Sequence, residues 1–306
     1  MIQVGAVAVA VAGFMAVLVL AAGGAVLARA WLAPRYPAGG TVFGSVPTPR
    51  RVILWRVAGL LVGLVGGYLV SSDSHSLGIG PLLSMPVIGG GVLAGVLVGE
   101  LTAPGPGRTP TRHAQLEIRN VTDYLPRRML ILIGFITALL ALVLCATTFV
   151  AVPDDLGRAG RALSIVCANG TTSVGGPWPG IYYSAPTGVV VLLGFILAAL
   201  TVRRIARRPR VSADSASRAL EDTIRRQTAF TVSAAYGVLV AGPLTGIGLI
   251  SGLELLDNCG PVMVHAAGWA LVAIGAAALV ALCWFMLAIL FPRLTEPPPV
   301  PEHSER

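Results

Sequence analysis

The chain has 306 residues, of which 55% are hydrophobic and only 12% are charged, and its formal net charge is +8. This composition is far more apolar than that of soluble globular proteins and predicts an integral membrane protein. All 22 basic residues are arginine, which excludes retinal pigments and Walker-type nucleotide-binding loops because both need a lysine.

Seven apolar runs are long enough to cross the hydrocarbon core as helices, which takes about 20 residues. In chain order they lie near residues 4–27, 52–70, 77–99, 129–152, 186–202, 228–253 and 262–291. We therefore predict an all-α fold, a single bundle of seven transmembrane helices over residues 1–291 with a disordered, proline-rich cytoplasmic tail at 292–306. The first run is expected to be retained, because an uncharged start and a long apolar stretch are unlike a signal peptide.

Arginines are concentrated on alternate connections between these runs. The connections 28–51, 100–128 and 203–227, together with the tail, hold 19 of the 22, whereas the intervening connections hold two arginines and five acids. Since arginine-rich short loops stay in the cytoplasm, we predict an outside N-terminus and a cytoplasmic C-terminus. Arginine without lysine is typical of a GC-rich genome, so a multi-pass protein of a bacterial plasma membrane is expected. The single charge within a run, Arg56, is expected to snorkel to the interface.

The second and third runs each carry glycines spaced by four residues. This spacing lets helix backbones approach closely, which is how membrane helices associate. The connection between the two runs is short, so we predict that the two glycine rows pack against each other within one chain; contact between subunits is the alternative. The rows are Gly59, Gly63 and Gly67, and Gly91, Gly95 and Gly99.

Prolines interrupt the third and sixth runs. We expect helix breaks at Pro81, Pro86 and Pro243, because irregular backbone at membrane depth is tolerated where protein or a cavity satisfies it. The matching triplets at residues 80–82 and 242–244 are compatible with an inverted repeat of the transporter type. Simple kinking is the alternative, since the two prolines lie at different depths of their runs.

Two of the four cysteines lie on connections predicted to face outward. Cys167 and Cys259 are a candidate disulfide, because that side is oxidising in many bacteria; two free thiols are the alternative. The bridge would tie the long segment Pro153–Ala185 to the turn before the last run. Cys145 and Cys283 lie within runs and are expected to pack as small apolar side chains.

The densest arginine connection, 203–227, is the best candidate for docking. A helical extension of the sixth run is expected after Ser212, Asp214 and Ser215, which are good N-caps. The arginines would meet anionic lipids of the inner leaflet or a membrane or cytoplasmic protein partner. Nucleic acid is excluded as a partner because the sequence contains no soluble domain to carry a basic face.

The membrane runs lack the groups that chemistry would need. No acid or histidine lies near the middle of a run, and no His-Glu-x-x-His spacing occurs, so we predict no catalytic residue, metal site or cofactor. We therefore expect a non-enzymatic accessory or scaffold component of the membrane. A transporter for a neutral or apolar solute and a sensor with an outer loop are the alternatives.

Overall fold

The computed structural model describes residues 49–72, 78–102, 127–167, 170–207 and 215–290. Over these residues the chain forms six helices and three short strands. The helices are α1 (Pro49–Ser71), α2 (Ile79–Leu101), α3 (Arg127–Val150), α4 (Ile181–Arg207), α5 (Ser215–Asp257) and α6 (Val262–Leu290), and the strands are β1 (Ala151–Val152), β2 (Ala162–Val166) and β3 (Thr172–Gly175). All six helices are long and apolar enough to cross a membrane.

The predicted runs from the second to the seventh each correspond to a helix, in the same order. The first run, 4–27, and the tail, 292–306, lie outside the described residues, so the seventh span, the tail and the positions of the termini stay predictions. The all-α prediction is wrong between α3 and α4, where the chain forms an antiparallel sheet with the order β1-β2-β3. The fold is therefore mostly helical rather than entirely so.

Helix ends follow local chemistry. Pro49 begins α1, and its missing N–H costs nothing in a first turn, where main-chain donors have no helical partner. Before α2 the chain turns at Gly78, whose φ of 96° favours glycine. At the other end of α2, the main-chain N–H and the hydroxyl of Thr102 both donate to the Val98 carbonyl oxygen, at 2.9 Å and 2.8 Å.

Antiparallel helices give the bundle two chemically different ends. At one end the sheet follows α3 and precedes α4, and the turn between α5 and α6 lies beside it; we call this the sheet end. At the other end lie the start of α3, the end of α4 and the first part of α5, and we call this the arginine end. The described arginines there include Arg127, Arg128, Arg203, Arg204, Arg207, Arg218, Arg225 and Arg226.

Helix α5 is the centre of the bundle. It packs against α2, α3, α4 and α6, and buried residues make up 72% of its apolar stretch, against at most 44% in the other five helices. Its small side chains, including the fully buried Ala234, Ala235 and Ala241, let four helices approach one axis. Helix α1, in contrast, packs principally on α2.

Several buried hydroxyls in the helices bond to their own backbone, whereas the buried Ser251 Oγ has no hydrogen-bond partner among the described residues. Thr187, Thr201, Ser233 and Thr245 each donate to the carbonyl oxygen four residues earlier, at 2.7–3.0 Å. This bond satisfies the hydroxyl without a partner on another helix. These four hydroxyls are therefore compatible with a tightly packed apolar interior.

Candidate functional site

The sheet and its flanking loops, residues 151–167 and 170–180, form a cap over the sheet end. Alternation along β2 buries Leu163 and Ile165 and exposes Ser164 and Val166. The buried pair packs with Trp178 of the cap and Leu255 of α5. The cap therefore has an apolar core of its own that is continuous with the end of the central helix.

A disulfide joins the cap to the turn after α5. Cys167 follows β2, Cys259 lies between α5 and α6, and their Cα atoms are 5.2 Å apart. The structure thus brings together the two cysteines predicted to share one side of the membrane. Of the remaining cysteines, Cys145 is exposed on the surface of α3 and Cys283 is half-buried in α6.

A second connection between cap and helices is polar. The Ser173 hydroxyl donates to Asn258 Oδ1 at 3.1 Å, and the Asn258 amide donates to the Glu254 carbonyl oxygen at 2.7 Å. The Glu254 carboxylate fits against the cap because residue 175 is glycine; a Cβ there would clash with Glu254 Oε1. The edge strand β3 is therefore held to the end of α5 by side chains and close packing.

Asp154 organises the loop between β1 and β2. Its Oδ1 accepts from the main-chain N–H of Arg158 at 2.8 Å, and its Oδ2 accepts from Arg158 Nε at 2.8 Å and from Arg161 Nη1 at 3.1 Å. Lost hydration raises the pKa of the Asp154 carboxyl, but the bonds and charge of Arg158 lower it by more, so the net pKa lies below its ordinary value. The aspartate therefore stays ionised and fixes two guanidinium groups.

Arg161 connects this loop to α4. Its side chain is only 9% exposed, and its guanidinium lies over the Tyr182 ring with 4.8 Å between the guanidinium carbon and the ring centroid. Its carbonyl oxygen accepts from the main-chain N–H of Trp178 at 2.9 Å. Sequence analysis missed this cluster, although Asp154, Arg158 and Arg161 stand out as charges in an apolar chain.

The glycine rows of α1 and α2 lie face to face. A Cβ at Gly91 would lie 2.6 Å from the Gly59 carbonyl oxygen and 2.6 Å from Gly63 Cα, and one at Gly95 would lie 2.5 Å from the Trp55 carbonyl oxygen. Gly67 and Gly99 are also close to the opposite helix, at Ser84 and Trp55 respectively. The backbones therefore meet without intervening side chains, and both rows are used within one chain.

The expected helix breaks at Pro81, Pro86 and Pro243 do not occur. Pro81 lies in the first turn of α2, where a proline removes no helical hydrogen bond. Pro86 and Pro243 are buried inside continuous helices, where packing against neighbouring helices holds the backbone despite the missing N–H. The prediction was wrong because it counted the lost hydrogen bond and not the surrounding contacts.

Helices α2 and α5 meet beside these prolines. A Cβ at Gly242 would clash with Met85 Cβ, and one at Gly89 would lie 2.8 Å from the Ala235 carbonyl oxygen. Helices α2 and α5 are therefore in close contact at the depth of these prolines.

No family model, no curated protein and no solved structure matches this chain. Functional inference therefore depends on its own residues. Among the described residues, no group of three or more His, Cys, Asp or Glu side chains could hold a metal ion. Arg56, the single charge within a predicted run, donates from Nη1 to Thr231 Oγ1 of α5 at 3.3 Å. Its guanidinium therefore contacts a neighbouring helix and does not only face the membrane interface.

Proposed function

We propose that this protein is a non-enzymatic accessory or scaffold component of a membrane assembly. The observation that carries the proposal is the close packing of α2 on α5 at Gly89 and Gly242. A carrier needs room for its solute near the midplane, usually at discontinuous helices, whereas α5 runs unbroken for 43 residues. A scaffold needs no path for a solute, so close contact of α2 with α5 and two chemically distinct ends support this proposal.

The proposed orientation places the arginine end in the cytoplasm and the N-terminus outside, in the plasma membrane of a bacterium. The arginines of the arginine end, against a cap whose Asp154, Asp155, Arg158 and Arg161 balance in charge, support this orientation. The disulfide supports it too, since disulfides persist on the oxidising side.

Labelling of single cysteines tests the orientation. In a background lacking Cys145 and Cys283, Val174→Cys in the cap should react with a membrane-impermeant maleimide in intact cells. Arg226→Cys at the arginine end should react only after the cells are opened. The reverse pattern would overturn the orientation, and labelling in both conditions at both sites would indicate mixed insertion and would also contradict it.

A sensor is the second candidate, favoured by the continuity of α5. Leu255 of this helix belongs to the core of the cap, and the same helix begins at Ser215 beyond the arginine end of its apolar stretch. At 1.5 Å per residue it is about 65 Å long. A ligand that displaced the cap would therefore act directly on the opposite end of the molecule.

Affinity capture distinguishes these functions. The tagged protein, extracted in mild detergent from membranes of its native cell, should retain a partner in fixed stoichiometry, and another tagged multi-pass protein is the control. Recovery of the protein alone would contradict the accessory function. In that case solute-binding screens directed at the region of Pro86 and Pro243 would test the transporter alternative.

A further inference from the structure

We call the line along which α3 and α4 face each other over α5, from the arginine end toward the middle of the bundle, the furrow. Both helices pack on α5, and they contact each other less than either contacts α5. At the sheet end they are joined by the Thr148 hydroxyl, which donates to Ser184 Oγ at 2.9 Å. Away from that end, α3 and α4 each pack on α5 more than on each other.

Tyr236 of α5 forms the floor of this furrow. Its ring packs edge-on against Phe195 of α4, with 6.0 Å between ring centroids, and its hydroxyl lies beside the Thr137 side chain of α3. Phe195 is itself 56% exposed. Thr137 and Phe195 therefore flank Tyr236 from the two outer helices; Tyr236 is only 8% exposed, and Phe195 is the residue open to the surroundings of the bundle.

The α3 side of the furrow carries a glycine in place of a larger side chain. Gly134 precedes Thr137 by one helical turn, and a Cβ added there would meet nothing within 4 Å. Unlike the glycine rows of α1 and α2, Gly134 makes no close contact with another backbone; it leaves space. Ala199, one turn beyond Phe195, keeps the facing wall of α4 small as well.

At the arginine end of the furrow, each of the two helices carries an arginine. With 3.6 residues per turn, Arg127 lies about 80° around α3 from Thr137, and Arg203 lies about 80° around α4 from Phe195. Their neighbours Arg128 and Arg204 lie about 180° from the same residues, on the far sides of their helices. All four side chains are exposed, but only one of each pair is on the furrow side.

The distances match one leaflet of a bilayer. Ten residues separate Arg127 from Thr137 and eight separate Arg203 from Phe195, or about 15 Å and 12 Å along the helices at 1.5 Å per residue. Half of the hydrocarbon core is about 15 Å thick. An apolar furrow of this length, with two guanidinium groups at its arginine end, is complementary to a lipid whose acyl chain extends from a phosphate.

We infer that the furrow binds an anionic phospholipid, whose phosphate is held between Arg127 and Arg203 and whose acyl chain lies over Gly134 and against the exposed Phe195. The inference rests on the proposed membrane function and adds a specific partner to it. Guanidinium groups bind phosphate through paired, charge-assisted hydrogen bonds. The lipid would replace the missing contact between α3 and α4.

Native mass spectrometry of the full chain in detergent, titrated with phosphatidylglycerol or phosphatidylcholine, tests the site. Phosphatidylglycerol should bind preferentially, and Arg127→Gln or Arg203→Gln should each weaken it by about fivefold. The matched controls Arg128→Gln and Arg204→Gln should change it less than twofold. Equal binding of the two lipids, or equal losses in the control variants, would overturn the inference.

A second variant tests the acyl chain separately from the headgroup. Gly134→Leu fills the furrow and keeps every arginine, so it should also weaken phosphatidylglycerol, while thermal unfolding of the lipid-free protein reports that the fold is intact. Unchanged binding in this variant would show that the furrow is not occupied. Because the titration requires no protein partner, its failure and the failure of affinity capture are distinguishable.

Discussion

The Trp178 indole Nε1 donates a hydrogen bond to the Thr147 carbonyl oxygen at 2.9 Å. Thr147 lies in the last turn of α3, where carbonyl oxygens have no helical donor, and Trp178 is only 2% exposed. One side chain of the cap thus completes the end of a transmembrane helix. The cap is therefore part of the folded bundle rather than a loop lying on it.

Replacing Trp178 should loosen the junction of cap and bundle. Trp178→Phe removes the donor and leaves a buried carbonyl oxygen unpaired, a loss worth about 1–3 kcal/mol. We expect a lower unfolding temperature in detergent, measured by the loss of helical circular dichroism. The exposed Val174→Ala in the same cap is the control and should leave the unfolding temperature unchanged; an equal change in both variants would contradict a role for the hydrogen bond.

The contact of α1 with α2 should be sensitive to a single methyl group. Gly91→Ala places a Cβ against the Gly59 carbonyl oxygen and should destabilise the protein by about 1–3 kcal/mol. Gly90→Ala, one residue away, meets open space and should be neutral or stabilising by up to about 1 kcal/mol, because alanine favours a helix. Thermal unfolding of the two variants compares them directly.

Larger substitutions at the same contact should go further. Gly63→Leu and Gly95→Leu are expected to separate α1 from α2. Cross-linking between Gly66→Cys and Val87→Cys would report the separation, because a Cβ at Gly66 would lie 3.1 Å from Val87 Cγ1. Cross-linking that continued unchanged in both leucine variants would contradict the close backbone contact.

The cap should be acid-sensitive through Asp154. Since its folded-state pKa is lowered, its contribution to stability is complete above the unfolded value of about 3.9 and is lost as pH falls through the folded value. The protection factors of the amides in β1 and β2, which correct for the intrinsic pH dependence of exchange, should therefore fall at acidic pH below that value and stay constant between pH 5 and 7. Asp154→Asn should raise exchange at pH 7 and remove most of the acid dependence; a variant that retained the full dependence would assign it to another group.

The disulfide predicts how many thiols react. In denaturant without reductant, two of the four cysteines, Cys145 and Cys283, should be alkylated, and all four should be alkylated after reduction. Alkylation of four cysteines before reduction would contradict the bridge. The paired substitution Cys167→Ser with Cys259→Ser should lower stability by about 2–5 kcal/mol, as measured by thermal unfolding against the parent protein.

Sequence patterns were sufficient to predict the apolar helices but not the strands of the cap. A run of 20 apolar residues has few alternatives in a bilayer, and the helical extension before Gln227 followed from its N-cap residues. In contrast, β2 has only five residues and β3 four, too short for alternation to be distinguished from a loop. The predicted run for α4 starts at residue 186, whereas the helix begins five residues earlier, at Ile181.

The remaining differences between the sequence predictions and the structure result from tertiary contacts. Pro86 and Pro243 look like breaks in a one-dimensional pattern, and only the packing around them keeps the helices continuous. Gly134 and Gly91 are equivalent as residue types, yet one lies in open space and the other against a neighbouring backbone. The furrow between α3 and α4 could not be predicted, because it depends on which helices surround α5.

The bond between Cys167 and Cys259 closes part of the polypeptide into a covalent ring that contains α4 and α5. A protease that cuts anywhere between these cysteines, for example at the arginines near residue 208, would open the ring without releasing a fragment. The nicked protein would migrate as one species on a non-reducing gel and as two after reduction. Two transmembrane helices would thus survive cleavage of the segment that connects them as a single molecule.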